Sequence, residues 1–185
     1  MVPARLRPIT LMRAVTSPHE LPPRAGEAAA LLERLFAEYQ TSILNYLYRL
    51  VGEAGLAEDL AQETFTRAWR ASAQLMAVDN PRAWLYRIAT NAARDDLRRR
   101  RLIAWLPLMS SDERLSDSGF EDRSLVGEQM RRALLRLKPE YRIPLVLYTC
   151  QDFSVAEIAI ALAISTDAVK QRLVRARQQL RDAIE

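Results

Sequence analysis

The sequence predicts an all-α protein of two small helical domains joined by a flexible linker, and three observations carry that expectation. Ala, Leu, Arg, Glu and Gln dominate the 185-residue chain, and these residues lose little conformational freedom on entering a helix. Only 5 glycines interrupt the pattern, and the Val-, Thr- and aromatic-rich runs that would mark strands are almost absent. Apolar residues recur at three- and four-residue steps on both sides of one Ser-rich, acidic stretch.

In chain order, residues 1–26 read as a disordered tail, because Pro3, Pro8, Pro18, Pro22 and Pro23 break any helix there. Arg5, Arg7 and Arg13, with no acid before Glu20, give it a faint likeness to a targeting peptide. Met12 is an alternative start. A first domain spans 27–106. From Glu27 to about Val51 the residues Leu31, Leu32, Leu35, Phe36, Tyr39, Ile43, Leu44, Leu47 and Tyr48 share one helical face. Gly52 and Gly55 punctuate it, and a second helix from about Leu56 to Ser72 turns Leu60, Ala61, Phe65, Ala68 and Trp69 inward. Asn80 caps a third helix with Pro81 in its first position, running through Arg98 to Arg101 and fraying near Trp105.

Residues 107–121 hold Ser110, Ser111, Ser116, Ser118 and several acids without sustained periodicity, and are expected to be the linker. The second domain spans 122–185. A fourth helix runs from Asp122 to Lys138, and Pro139 ends it. A fifth covers about Glu140 to Thr149, with Pro144 in its first turn or as a kink. Ser154-Val155-Ala156-Glu157 is a capping box that opens a short helix. Ala163-Ile164-Ser165 makes a tight joint, and Thr166 or Ser165 caps the last helix.

Composition narrows the function classes. The net charge of +4 and pI near 9.6 suit a polyanionic partner. Cys150 is the only cysteine and His19 the only histidine, so no internal disulfide forms and neither a His/Cys metal site nor a His-based triad has the material it needs. The expectation is a cytoplasmic protein that is not an enzyme and needs no cofactor. No run of about 18 apolar residues predicts a membrane insertion.

Two constellations point to nucleic acid. In the last helix Val169, Leu173, Ala176 and Leu180 form the inward stripe, so Asp167, Gln171, Val174, Arg175 and Gln178 point outward. Between Lys170 and Arg181 stand five basic residues and no acid. With the short capped helix before it, this is helix-turn-helix spacing, with Arg and Gln placed to read base edges in a major groove. The joint carries Ala163 where glycine is common; a left-handed conformation there would cost the alanine about 1 kcal/mol. In the third helix Arg87, Asn91, Arg94, Arg98 and Arg101 share one face, opposite Leu85, Ile88, Ala89 and Ala92. Six arginines stand against two aspartates between Arg87 and Arg101, a local charge of +4. Asn91 suits a base edge, and Trp84 and Tyr86 offer stacking planes or core packing, so unpaired strands fit as well as duplex. On the second helix Asp59, Gln62, Glu63, Thr66 and Arg70 form a polar stripe that by itself is a solvated face.

The segment Asp59-Leu60-Ala61-Gln62-Glu63-Thr64-Phe65 resembles the region 2 signature of extracytoplasmic-function sigma factors, the sigma-70 type that keeps only regions 2 and 4. The run from Trp84-Leu85 through Ile88-Ala89, Asn91 and Asp95 to Arg98-Arg99 is similar to that family's promoter-melting helix. Leu137, Pro139, the capped Ser154 to Ala159 segment and the Val169 to Arg177 run resemble its region 4. Three motifs in order, over about residues 33 to 183, are more specific than any one alone.

The resemblance implies a transcription initiation factor. Asp59, Gln62, Glu63, Thr66 and Arg70 would meet core RNA polymerase at the clamp helices of its β′ subunit, with the β flap as a further contact of the holoenzyme. Trp84, Arg87, Asn91, Arg94, Asp95, Arg98, Arg99 and Arg101 would meet the minus-ten element, where the loop from Ala73 to Asn80 helps to capture flipped bases. Thr166, Asp167, Lys170, Gln171, Arg172, Val174, Arg175 and Arg177 would meet the minus-thirty-five element. The resemblance also implies an anti-sigma factor as partner, with Leu102, Ile103, Trp105 and Leu106 a docking surface or simple domain packing. The rival readings are a stand-alone helix-turn-helix regulator, which leaves the stripe from Asp59 unexplained, and a helical adaptor with no nucleic-acid role.

Overall fold

The computed structural model describes residues 23–103 and 125–184, which form eight α-helices and no strand. They are α1 (Pro23–Val51), α2 (Ala54–Arg70), α3 (Ser72–Leu75), α4 (Pro81–Ile103), α5 (Leu125–Arg136), α6 (Pro139–Cys150), α7 (Val155–Leu162) and α8 (Thr166–Ile184). The expected tail 1–26 is shorter than predicted, since residues 23–26 already belong to α1, whose first position suits Pro23 because the missing N–H has no helical partner there; residues 1–22, the linker 107–121, and Trp105 and Leu106 lie outside the described residues.

α1, α2 and α4 pack into one group around Leu47, Leu50, Phe65, Leu85 and Ala89. Inside it the Tyr46 hydroxyl meets Thr90 Oγ1 at 2.7 Å, and that hydroxyl donates to the Tyr86 carbonyl, also at 2.7 Å. These bonds keep a buried phenol and a buried threonine satisfied. The Phe36 and Phe65 rings meet edge to face at 4.8 Å. α1 ends at Gly52, whose φ of +79° suits glycine and whose amide returns to the Tyr48 carbonyl at 2.8 Å. α4 starts as its sequence predicts, with Asn80 Oδ1 accepting from the Ala83 amide at 2.8 Å.

The second group is α5 to α8, with α8 resting on α5, α6 and α7. α6 runs through the buried Pro144 unbroken. The capping box at α7 is complete: the Glu157 amide donates to Ser154 Oγ, and Glu157 Oε2 accepts from the Ser154 amide at 2.9 Å. Ala163 takes the left-handed conformation, φ 53° and ψ 47°. The Ala163 and Ile164 amides return to Ile160 and Ala159, a Schellman closure with alanine in the glycine position. Ser165 caps α8 through the Ala168 amide at 3.2 Å.

Three local expectations change. Trp69 was expected inward, but at the end of α2 it is 36% exposed, because the turn into α3 leaves no helix to cover it. The stretch expected to be loop after α2 contains α3, a single turn anchored by the buried Leu75. α5 ends at Arg136 rather than Lys138; its expected start at Asp122 is outside the described residues.

The two groups share one continuous buried cluster. α4 lies against α7, and α1 against α5 and α6. Leu135 of α5 covers Gly52, where any side chain would collide with it, and Arg131 Nη1 donates to the Gly52 carbonyl at 3.0 Å.

Candidate nucleic-acid interface

On α2, buried Leu60, Ala61, Thr64, Phe65 and Ala68 turn the opposite edge outward. Asp59, Gln62, Glu63 and Arg70 are exposed there and Thr66 is half-buried, its hydroxyl donating back to the Gln62 carbonyl at 2.9 Å. The stripe therefore exists as one surface. Its Glu63 is engaged: Arg67 reaches it at 2.7 Å and Asp95 of α4 at 3.3 Å, joining the stripe to α4. Burial works against the Arg67 charge, but the hydrogen bonds and charges of Glu63 and Asp95 outweigh it and hold the guanidinium pKa up.

α4 presents Arg87, Asn91, Arg98, Arg99 and Arg101 to solvent. Arg94 differs from its neighbours in the row. It is half-buried, and its pKa is lowered by burial, with repulsion from Arg172 of α8 adding to the effect and Tyr46 opposing it. Asp95 is exposed and tied to Arg67. Asp96, only 4% exposed, anchors the arginine run from below: Arg99 Nη2 donates to its Oδ1 at 2.7 Å. Arg100 Nε lies 2.8 Å from Asp96 Oδ2 as a charge contact without hydrogen-bond geometry, and the same guanidinium reaches Glu53 at 3.2 Å. Asp96 thus gives Arg99 and Arg100 a buried counter-charge on the helix that carries them.

A cavity of about 220 Å³ opens between α2, α3 and α4, lined by Arg67, Gln74, Trp84, Arg87, Ile88 and Asn91. It is smaller than the roughly 300–1,000 Å³ of a drug-sized ligand site. Trp84 is 4% exposed, so it is core as well as cavity wall rather than a free stacking platform. Around the indole and an aliphatic side chain stand two guanidiniums and two amides, a set in which a guanidinium plane can stack on a planar ring and the amides can hydrogen-bond its edge. Arg67 and Gln74 were not singled out from the sequence. Arg67 carries a local signal, its four-residue spacing from Glu63; Gln74 carries none.

On α8, Val169, Leu173 and Ala176 are buried, and Thr166, Asp167, Lys170, Gln171, Val174, Arg175 and Arg177 are exposed on the outer side. Val174 is 65% exposed among these polar side chains. Lys170 sits 3.3 Å from Asp167, Arg177 stacks 5.5 Å over the Tyr148 ring, and Arg181 donates to Gln178 at 3.1 Å. Arg172 is half-buried on the side towards α4. Among the described residues no cluster of His, Cys, Asp and Glu could hold a metal, and no helix is long and apolar enough to cross a membrane.

Comparison with known proteins places both helical groups. Residues 35–103 match the model of Sigma-70 region 2, and residues 127–180 match that of Sigma-70, region 4. The chain is 34% identical over 165 residues to the ECF RNA polymerase sigma factor SigE of Mycolicibacterium smegmatis, covering 85% of this chain and 63% of that protein. It is 33% identical to the RNA polymerase sigma factor YlaC of Bacillus subtilis, covering 81% and 90%, and 35% identical to SigG of Mycobacterium tuberculosis, of which it spans 48%. CnrH, solved in complex with the cytosolic domain of CnrY, superposes with a TM-score of 0.65 at 26% identity, covering 86% of this chain and 93% of CnrH. The sigma factor RpoE of Bartonella quintana, solved with the anti-sigma factor NepR, shares the fold with a TM-score of 0.68 at 21% identity, covering 82% and 95%.

Proposed function

The chain belongs to the extracytoplasmic-function branch of the sigma-70 family, and from that premise we propose that it is an alternative sigma subunit that brings core RNA polymerase to promoters and supports their melting. The stripe of Asp59, Gln62, Glu63, Thr66 and Arg70 docks on the polymerase β′ clamp helices. The cavity beside α4 receives an unpaired base of the minus-ten strand, with Asn91 and Arg87 at its edge. Arg98, Arg99 and Arg101 follow the phosphates, and the outer face of α8 reads the minus-thirty-five element in the major groove.

The observation that carries this reading is the cavity. Amides and guanidiniums meet over a buried indole at the start of an arginine-faced helix, which suits a base leaving a duplex: a guanidinium plane to stack on, edge donors and acceptors, and cations for the backbone. A stand-alone regulator that reads duplex has no use for it. An anti-sigma factor is the expected inhibitor; RpoE of Bartonella quintana was solved with one, NepR, and CnrH was solved with the cytosolic domain of CnrY.

Run-off transcription with purified core polymerase, combined with permanganate footprinting, tests the assignment. Asn91→Ala should reduce strand opening more than closed-complex formation, since only melting exposes the bases. Unchanged permanganate reactivity in the variant would remove the cavity from the mechanism.

A further inference from the structure

The cavity beside α4 has two guanidiniums in its wall, those of Arg67 and Arg87, and only one of them is held in place. Arg67 of α2 donates through Nε and Nη2 to Glu63 Oε1, at 3.1 and 2.7 Å, and through Nη1 to Asp95 Oδ2 of α4 at 3.3 Å. Glu63 stands one turn earlier on the same helix, whereas Asp95 lies 28 positions further along the chain. The donors of a guanidinium lie in its plane, so carboxylates on two helices fix the orientation of that plane as well as the place of the charge. Arg87 is exposed and has no carboxylate partner among the described residues.

These ion pairs serve position more than stability. The Arg67 side chain is 38% exposed, Glu63 47% and Asp95 63%, and pairs so open to water contribute little to folding. What they leave to the cavity is a planar cation with its faces unused. The cavity needs such a surface, because its indole is core: Trp84 is only 4% exposed, and little of that ring is open to a ligand. Gln74 and Asn91 supply edge donors and acceptors, and Ile88 an aliphatic contact. The flat surfaces that remain are the two guanidiniums, and unstacked bases lie on arginine planes as they do on aromatic rings. Of the two, Arg67 is already oriented, so stacking on it does not require a loose side chain to be ordered first.

From this arrangement, and resting on the function proposed above, we propose that Arg67 is the platform on which the unpaired minus-ten base stacks, and that Asp95 is a positioning residue that holds its plane. The resemblance placed Asp95 among the DNA contacts; a carboxylate is a poor neighbour for phosphates, and here it acts through Arg67 instead. Glu63 also belongs to the stripe assigned to polymerase, so Asp95 is the partner Arg67 keeps when Glu63 is drawn to the β′ subunit. Arg87, which nothing pins, follows the phosphate beside the stacked base.

Holoenzyme built from the full-length chain tests this, with core polymerase at saturation so that any change in core affinity on freeing Glu63 does not enter. The probes are fork DNAs from a promoter that the wild type transcribes, duplex upstream and single-stranded through the minus-ten element, each with one base replaced by an abasic site. The position where base removal weakens the wild type most marks the occupant of the cavity. On the intact strand Arg67→Ala should bind about tenfold more weakly, and Arg67→Lys, which keeps the charge and loses the plane, nearly as much. On the strand abasic at that position both losses should shrink to within about twofold. Removing an acid beside DNA by itself strengthens binding, so a loss of about threefold for Asp95→Ala on the intact strand, with no further loss in the Arg67→Ala background, is the sign of lost positioning. Circular dichroism checks helicity, and Arg67→Lys carries the comparison if Arg67→Ala fails to fold. Equal losses for Arg67→Ala on intact and abasic strands, wild-type binding by Arg67→Lys, or additive losses from Asp95→Ala would each overturn the platform. A wild type that transcribes but has no position sensitive to base removal would overturn the cavity and its platform while leaving the sigma reading standing. No transcript from the wild type on any promoter would overturn the sigma reading, and the platform with it.

Discussion

Replacing Asp96 with asparagine removes a charge from beneath the arginine run of α4 while keeping the size of the side chain. The cost depends on which partner is left behind. Asp96 has 3% side-chain exposure, whereas its partners Arg99 and Arg100 are 70% and 49% exposed. Once the carboxylate is gone both guanidiniums rehydrate, so the loss is that of charge-assisted hydrogen bonding rather than of a stranded buried ion, about 1–3 kcal/mol. Arg100→Ala leaves the buried carboxylate paired to Arg99 and removes a half-exposed side chain, so its cost should stay below about 1 kcal/mol. Urea titration of the full chain followed by circular dichroism measures both. For function the sign reverses: Asp96→Asn frees one or two cations on the face assigned to DNA, and the slope of log affinity against log salt should steepen by about 0.9 for each added phosphate contact. A neutral Asp96→Asn, or an Arg100→Ala as costly as Asp96→Asn, would refute the claim that the buried carboxylate organises the arginine run.

Ala163→Gly should stabilise the chain by up to about 1 kcal/mol in thermal melts, because it relieves a left-handed alanine at an exposed site, less the extra entropy of an unfolded glycine. Hydrogen bonds from Arg131 and Arg132 hold the Glu128 carboxyl at about 2, below its ordinary 4.5; its stabilisation is therefore present above about 4.5 and lost as pH falls towards 2, and Glu128→Gln should flatten the urea midpoint across that window. Arg175→Ala should cost about 1–3 kcal/mol at a preferred minus-thirty-five element and flatten discrimination among promoters, while Arg181→Ala weakens all promoters alike and lowers the salt slope by about one, both read in holoenzyme binding. Asp59→Arg with Glu63→Arg should abolish co-elution with core polymerase at unchanged helicity.

What could be read from the sequence is what forms within a few residues. The helices, the Asn80 and Ser154 caps, the left-handed Ala163 and the inward stripe of α8 all rest on spacings of four residues or fewer. So does the arginine row of α4, whose period is one helical face. What periodicity could not supply is which faces are covered and by what. Trp69 shares the inward spacing of α2 but lies past the last helix able to cover it. Arg94 shares the outward spacing of α4, yet is half-buried beside Arg172, 78 positions later in the sequence. Tyr86 finds its hydroxyl partner in Gln151, 65 positions away. A helical face announces itself through its own neighbours at three and four residues, but its partner is chosen by the packing of the whole chain, where shape and burial between distant segments outweigh any local preference. For that reason the individual polar helix faces were legible in the sequence, and only the tertiary structure showed that α4, which carries one of them, packs against α7 as well as α1 and α2.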